Sequence, residues 1–402
     1  TKLVLDFVRI NKTVFVKTPD EKNRYINSKN VYVSKLEESL AYKLLEKLSN
    51  EFILIPASRN IVRNPHPTSE KAHVEEYIKD SLIELANSKE EDKKVLFSQF
   101  TDFIDKISPL IEKIDPVYKG KTVVDLDFKT GKGEKISLST IGGGNNELLL
   151  LLHEIIVSGG IIMAIEEPEI HLHPQAERKL YRFMEEFSVA TQMFVVTHSP
   201  VFVQPGNIRG LYRVVKRKEG TFTYSMDEKD YINRDRLEQE LNSENCEMFF
   251  ADKVLLVEGI SDKIFMEGLI EKRCKSTDEI KIVSAYSKDN FEIYVDLLRI
   301  FDIPYIVLTD LDALKGRFQI KIIWRELKHQ RIKDRYQRII FLKTKGIHVL
   351  SKGALESCYP KQYRKGVSKP LDALYAIHNL TDEEYNSERM NDLKEVIEAL
   401  EK

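Results

Sequence analysis

Two apolar runs that end in carboxylates constrain this chain most. They are Val-Leu-Leu-Val-Glu-Gly-Ile-Ser-Asp at 254–262 and Tyr-Ile-Val-Leu-Thr-Asp-Leu-Asp at 305–312. A continuous β-branched run bounded by turn residues reads as a strand buried on both faces, as in a parallel α/β sheet. The acids then fall at the strands' carboxyl ends, where open α/β sheets place ligands. Glu258, Asp262, Asp310 and Asp312 therefore form a candidate acidic cluster. Crowded carboxylates repel one another unless a cation balances them, and hard oxygen donors suit Mg²⁺ or Mn²⁺. The chemistry this pattern points to is metal-assisted phosphodiester cleavage or transfer.

At 402 residues the chain is long enough for two or three domains. A net charge of −2 provides no global attraction to nucleic acid, so any such contact must use local basic patches. The run Lys361, Arg364, Lys365 and Lys369 is one such patch. The three cysteines, Cys246, Cys274 and Cys358, show neither metal-ligand spacing nor a disulfide framework, which fits a reducing cytoplasm. No signal peptide is seen, and Leu148–Leu152 is too short to span a membrane.

Along the chain, strand-like runs occur at Leu3–Val8 and Phe52–Pro56. From 67 to 118 charge is dense and apolar residues recur at helical spacing (Ile78, Leu82, Leu85, Phe100, Phe103, Ile104), which predicts an inserted helical hairpin. It is either a surface helix pair or a dimerisation arm. Two strands are expected around Gly131-Lys132-Gly133. Then come a helix from Leu148, a buried strand over Gly160–Ile165, an amphipathic helix over Ala176–Ser188 and a strand over Met193–Thr197. A β-meander is expected over 206–224 and a charged linker helix over 228–250. The expected division is an ATPase-like domain over 1–66 and 119–227, the helical insertion between, a linker at 228–251 and an α/β domain over 252–402.

The segment Gly-Ile-Ile-Met-Ala-Ile-Glu-Glu-Pro-Glu-Ile-His-Leu-His-Pro (160–174) is a strand ending in two glutamates. The first can hold Mg²⁺ beside a triphosphate, and the second can polarise an attacking water. Phe-Val-Val-Thr-His-Ser-Pro (194–200) brings His198 to a second strand end, where it can contact a γ-phosphate. Leu-Ser-Thr-Ile-Gly-Gly-Gly-Asn-Asn-Glu (138–147) places glycines before a helix, an anion-binding arrangement. Separately these are surface charge, a packed histidine or a flexible turn. In this order and spacing they resemble the ABC-type ATPases. The resemblance makes Ser139, Gly142, Gly143 and Gly144 the signature loop, Glu166 the Walker B acid and Glu167 the catalytic glutamate. It makes His171–Pro174 the D-loop and His198 the switch histidine. Two departures stand out: the family usually has Asp where Glu166 stands, and the signature is loose. No G-x-x-x-x-G-K-[ST] loop occurs in the chain, and Gly131–Gly133 is too short to be one. Truncation before Thr1 is the favoured account, with a degenerate ATPase as the alternative.

Glu258 with Asp262, followed by Asp310-x-Asp312, resembles the Toprim domain of topoisomerases, DnaG-type primases and several nucleases. The interval accommodates a helix (Lys263–Lys272), a strand (Ile280–Ser284) and a helix (Phe291–Phe301), and a further strand at Ile347–Leu350 leads to Glu356. Asp310 and Asp312 would point to one side of their strand and share a metal. Glu356 is either a further ligand or a helix-start acid.

An ABC-type ATPase followed by Toprim resembles the OLD (overcoming lysogenization defect) family. The carriers are Glu-Glu-Pro-Glu-Ile-His-Leu-His-Pro, Val-Thr-His-Ser-Pro, and Glu-Met-Phe-Phe-Ala-Asp-Lys-Val-Leu-Leu-Val-Glu-Gly (247–259). The resemblance implies an ATP-regulated, Mg²⁺- or Mn²⁺-dependent DNA endonuclease of bacterial anti-phage defence. It implies catalytic or metal roles for Glu258, Asp262, Asp310, Asp312 and Glu356, and homodimers or larger assemblies. It also implies a partner such as a helicase or a retron reverse transcriptase with its DNA–RNA product. Two other readings remain: a non-catalytic nucleotide-dependent sensor or scaffold, and a Toprim polymerase or topoisomerase.

Overall fold

The structure is a computed structural model and describes residues 6–10, 13–17, 52–57, 74–107, 111–136, 143–157, 162–189, 191–227, 229–230, 232–315, 320–366 and 368–402. The chain divides into two compact units, 1–197 and 198–402.

In the first unit, β1 (Asp6–Ile10) and β2 (Thr13–Lys17) form an antiparallel hairpin. A parallel sheet has the order β3 (Phe52–Ile55), β7 (Ile162–Glu166), β8 (Gln192–Val196). Between them in sequence, β4 (Lys113–Lys119), β5 (Thr122–Lys129) and β6 (Lys135–Ile136) make an antiparallel sheet. Gly133 takes a positive φ of 79° in the β5–β6 turn, where a Cβ would be strained. Gly120-Lys121-Thr122, whose letters match the end of a phosphate-binding loop, sits instead in the β4–β5 hairpin, with Gly120 at φ 66°. Strand β4 occupies residues expected to be helical. The helical pair itself is Val74–Asn87 and Glu91–Ile107.

The apolar stripe of that pair is used inside the unit. Ile78, Leu82, Leu85, Phe100 and Ile104 are buried. Phe100 meets His153 edge-on, and Phe103 meets Phe183 with ring centroids 4.4 Å apart. The Asn87 side chain exchanges two hydrogen bonds with the Val123 backbone. The helix Gly143–Val157 carries five consecutive leucines and buries Leu148–Leu152, Ile155 and Ile156. Pro174 opens the helix Pro174–Phe187 at its first turn, where a missing N–H costs nothing.

The second unit begins with less sheet than expected. Residues 206–224 hold a short 3-10 turn and one hairpin, β9 (Arg213–Arg217) and β10 (Gly220–Tyr224), rather than a meander. The linker is not one helix. Asn233 and Asn242 each cap a short helix, Arg234–Glu240 and Ser243–Cys246, their side chains accepting backbone N–H groups. Leu237, Leu241, Cys246, Met248 and Phe249 are buried in the unit's core.

The main sheet is fully parallel, with the order β12 (Ile280–Ser284), β11 (Lys253–Val257), β13 (Tyr305–Thr309), β14 (Ile347–Val349). Alternate strand residues feed two cores. Val254, Leu256, Val283, Val307, Ile347 and Val349 face one, with the helix Phe291–Ile300. Leu255, Val257, Ile282, Ile306 and Leu308 face the other, with the helices Ile260–Arg273, Lys369–Asn379 and Asn391–Glu401. This is why the runs are continuously apolar. The chain steps from β11 to β12 on one side and then returns to β13 on the other. The order thus reverses between β11 and β13, and the crevice above their carboxyl ends is the ligand position of such sheets.

His348 on β14 is 6% exposed. Burial, then the nearby Lys343 charge, pushes its pKa down from 6.5 to about 4. Because the folded value is depressed, the neutral ring contributes stability above pH 6.5 that is lost as pH falls toward 4. At about 1.4 kcal/mol per unit this is on the order of 3 kcal/mol. Urea unfolding of His348→Leu at pH 7.5 and 4.5 should show a smaller acid loss than the parent chain; an equal loss would refute the assignment.

Candidate functional site

Strand β11 delivers Glu258 and strand β13 delivers Asp310 to the switch point. The two acids of the second run lie beyond the strand rather than on one of its faces: Asp310 immediately precedes a 3-10 turn, Leu311–Leu314, that contains Asp312. The turn still gathers them. One carboxylate oxygen from each of Glu258, Asp310 and Asp312 lies within 4.8 Å of the others, and among the described residues this is the acidic cluster able to hold a metal ion.

Each carboxylate is fixed through one oxygen. Glu258 Oε1 accepts the Thr309 hydroxyl at 2.5 Å and the Asp310 N–H at 3.0 Å, joining the two strand tips. Asp310 Oδ1 accepts the Leu355 N–H at 3.2 Å. Asp312 Oδ2 accepts Lys288 Nζ at 2.5 Å. The remaining oxygens are available to a cation. Asp312 Oδ1 is buried without a hydrogen-bond partner among the described residues, a costly arrangement for a carboxylate oxygen unless something else binds it. Burial, followed by the charges of Glu258, Asp262, Glu356 and Asp312, pushes Asp310 up to about 7. Burial likewise raises Asp262 to about 6. The donor set is all hard oxygen and carries excess negative charge, which fits Mg²⁺ or Mn²⁺.

Asp262 and Glu356 stand outside the three-residue cluster. Asp262 is the third residue of the helix Ile260–Arg273, and its Oδ2 caps the Gly259 N–H at 3.0 Å. Glu356 Oε1 pairs with Lys369 Nζ at 2.8 Å. Both still act on Asp310 through space. Of the basic run, Lys369 is thus engaged, Arg364 donates to the Tyr359 carbonyl, and Lys365 lies over the Tyr375 ring at 3.6 Å. Lys288 was not singled out by the sequence. Its signal is position: it follows strand β12 at the same sheet edge.

The Asp310 shift gives a test with a defined sign. Its folded pKa is raised, so without a cation stability is lost as pH rises from 3.8 through about 7. A divalent cation at about 100 times its Kd should return about 2.7 kcal/mol, roughly 5 °C or more in Tm. The expected result is a clear Tm rise with Mn²⁺ at pH 8 and a smaller one at pH 5, where protons compete; equal shifts would count against the cluster.

In the first unit, Glu166 ends β7, and its Oε2 accepts the Ala57 N–H just past β3 at 3.4 Å. Glu167 has φ 44°, a conformation few non-glycine residues adopt, and its N–H donates to the Val196 carbonyl at 2.7 Å. Glu169 accepts the Thr197 hydroxyl at 2.7 Å. His171, also at positive φ, pairs with Glu147 at 2.9 Å, a link between the Gly143–Val157 helix and the post-strand loop that the sequence did not disclose. Gly143 and Gly144 form the first turn of that helix, whereas Ser139 and Gly142 lie outside the described residues. His198 follows β8 as the first residue of the second unit.

Residues 12–203 match the AAA ATPase domain family, and residues 249–312 match the overcoming lysogenization defect protein-like TOPRIM domain. These matches give the chain an AAA ATPase domain followed by an OLD-like TOPRIM domain. An "OLD nuclease" of Thermus scotoductus is 31% identical over 160 residues, covering 37% of this chain and 30% of that protein. An "Endonuclease GajA" of Bacillus cereus (strain VD045) is 29% identical over 167 residues, covering 39% and 28%. The chain thus spans about a third or less of the length of these curated relatives. Among solved structures, the C-terminal region of the Burkholderia pseudomallei OLD protein is 16% identical with a TM-score of 0.28, covering 38% of this chain and 99% of that one. The SMC head domain from Thermotoga maritima is 11% identical with a TM-score of 0.32, covering 55% and 72%. No helix among the described residues is long and apolar enough to cross a membrane.

Proposed function

We propose that this chain is an OLD-family protein, a divalent-metal-dependent DNA endonuclease whose Toprim unit hydrolyses phosphodiesters under the control of its ATPase half, in bacterial anti-phage defence. The observation that carries the reading is the cluster of Glu258, Asp310 and Asp312, each fixed through one oxygen at the switch point of a parallel sheet. These three residues would hold Mg²⁺ or Mn²⁺. Bound there, the cation supplies charge neutralisation at the phosphate and an acidified water. The protein's own contribution is geometry: Thr309 and the Leu355 N–H keep the Glu258 and Asp310 carboxylates aimed before substrate arrives. Asp262 and Glu356 enlarge the negative field that draws the cation. Glu166 and Glu167 are assigned to ATP chemistry, with Gly143 and Gly144 at an anion-binding helix start. The names of the relatives, a nuclease and an endonuclease, agree with this reading.

The test is supercoiled plasmid incubated with Mg²⁺, Mn²⁺ or EDTA, with and without ATP. Nicking that depends on the metal supports the proposal. Absence of cleavage under every condition, with Mn²⁺ binding intact, favours the alternative of a nucleotide-dependent sensor or scaffold.

A further inference from the structure

Asp312 differs from its two neighbours in what holds it. Glu258 and Asp310 are clamped by backbone N–H groups, whereas the Asp312 carboxylate is held by the Lys288 ammonium, with its side chain 46% exposed. A half-exposed carboxylate on a short turn is otherwise free to rotate. We propose that Lys288 is a positioning residue of the metal centre: it fixes Asp312 Oδ2 so that the buried, unpartnered Oδ1 is presented to the cation. This rests on the metal-dependent reading above and assigns it a residue from the loop that follows a third strand of the sheet, β12.

The loop that carries Lys288 is built to hold it. Ala285 N–H donates to the Val257 carbonyl at 2.9 Å, fastening the loop's start to β11. Tyr286 takes φ 56°, a strained conformation for an aromatic residue that persists only where its surroundings enforce it. Ser287 caps the following 3-10 turn, Lys288–Asn290. Asn290 Nδ2 then bridges the loop, donating to the Ala285 carbonyl at 3.0 Å and to Glu240 Oε1 at 2.6 Å. Glu240 is in turn held by the Tyr294 hydroxyl at 2.9 Å. The ammonium therefore sits on a loop braced at both ends.

Two effects of removing Lys288 have opposite signs. Deleting a positive charge beside a cation site tightens cation binding by Coulomb's law. Releasing a ligand from its supporting partner weakens it, typically 10–100-fold. The positioning role predicts that the second dominates. Mn²⁺ affinity, read from the electron paramagnetic resonance signal of free Mn²⁺, should weaken about tenfold in Lys288→Met and stay within about threefold of the parent in Lys288→Arg. Circular dichroism and Tm establish that each variant is folded. Unchanged or tighter Mn²⁺ binding in folded Lys288→Met overturns the proposal. Should that variant fail to fold, Asn290→Ala keeps the lysine and loosens its loop; weaker Mn²⁺ binding supports positioning, and unchanged binding overturns it. A parent chain that binds no Mn²⁺ sinks the metal reading itself, and the proposal with it. A parent chain that binds Mn²⁺ as Lys288→Met does sinks the proposal alone.

Discussion

An Asp310→Ala protein is expected to fold as the parent does and to nick plasmid about a thousandfold more slowly, a loss of about 4 kcal/mol in transition-state stabilisation. Asp310 is the member of the cluster on which the other acids converge, and burial together with their charge already works against its ionised form. Removing the carboxylate relieves that repulsion. The side-chain hydrogen bond lost is to the Leu355 N–H, at about 1–3 kcal/mol if that group stays buried. The two effects oppose each other, so without metal at pH 8 the variant's Tm should match or exceed the parent's. Asp310→Asn, which keeps an acceptor for Leu355, should be the more stable of the two and equally inactive. Stability gained where activity is lost is expected of a site whose groups are arranged for binding rather than for folding. Cleavage within tenfold of the parent in a folded Asp310→Ala protein would remove the site from Glu258, Asp310 and Asp312.

The acidic cluster was legible because each acid terminates an apolar run. A strand buried on both faces has an unmistakable composition, and its carboxyl end follows from direction alone. The same logic found Glu166 and Glu167 at the tip of β7. It failed where a residue's role depends on strand order. Lys288 lies 24 residues from Asp312 in sequence and on no common element; only the β12-β11-β13 order brings them together. Nor did strand periodicity describe Asp310 and Asp312, because the chain leaves the strand at Thr309 and turns. The linker misled for a related reason. Its charges read as a solvated helix, but Asn242 restarts the backbone and redirects Leu241, Cys246 and Phe249 into the core. Side-chain caps of that kind override periodicity over one or two turns. Residues 113–118 fall at the end of the stretch whose charge and apolar spacing predict helix, yet they pair with β5, Ile114 meeting Phe128 across a hairpin.

Glu258 should separate clasp from ligand when it is changed in two ways. Its Oε1 ties β11 to β13 by accepting both the Thr309 hydroxyl and the Asp310 N–H, and Thr309 is only 1% exposed. Glu258→Ala leaves both donors without that acceptor, at about 1–3 kcal/mol for each group that stays buried. It should therefore lower Tm by several degrees as well as stop cleavage. Glu258→Gln retains a carbonyl oxygen for the same two donors and lowers the negative charge facing Asp310 and Asp262. Its Tm should hold or rise, while cleavage falls about as far as in Asp310→Ala, because a neutral amide is a weaker partner for a divalent cation. Tm and nicking rate measured on the pair give the answer. Near-parental cleavage by Glu258→Gln would make Glu258 a clasp between strand tips and leave cation binding to the two aspartates. Equal Tm loss in both variants would mean that the charge itself, and not the hydrogen bonds, joins the strands.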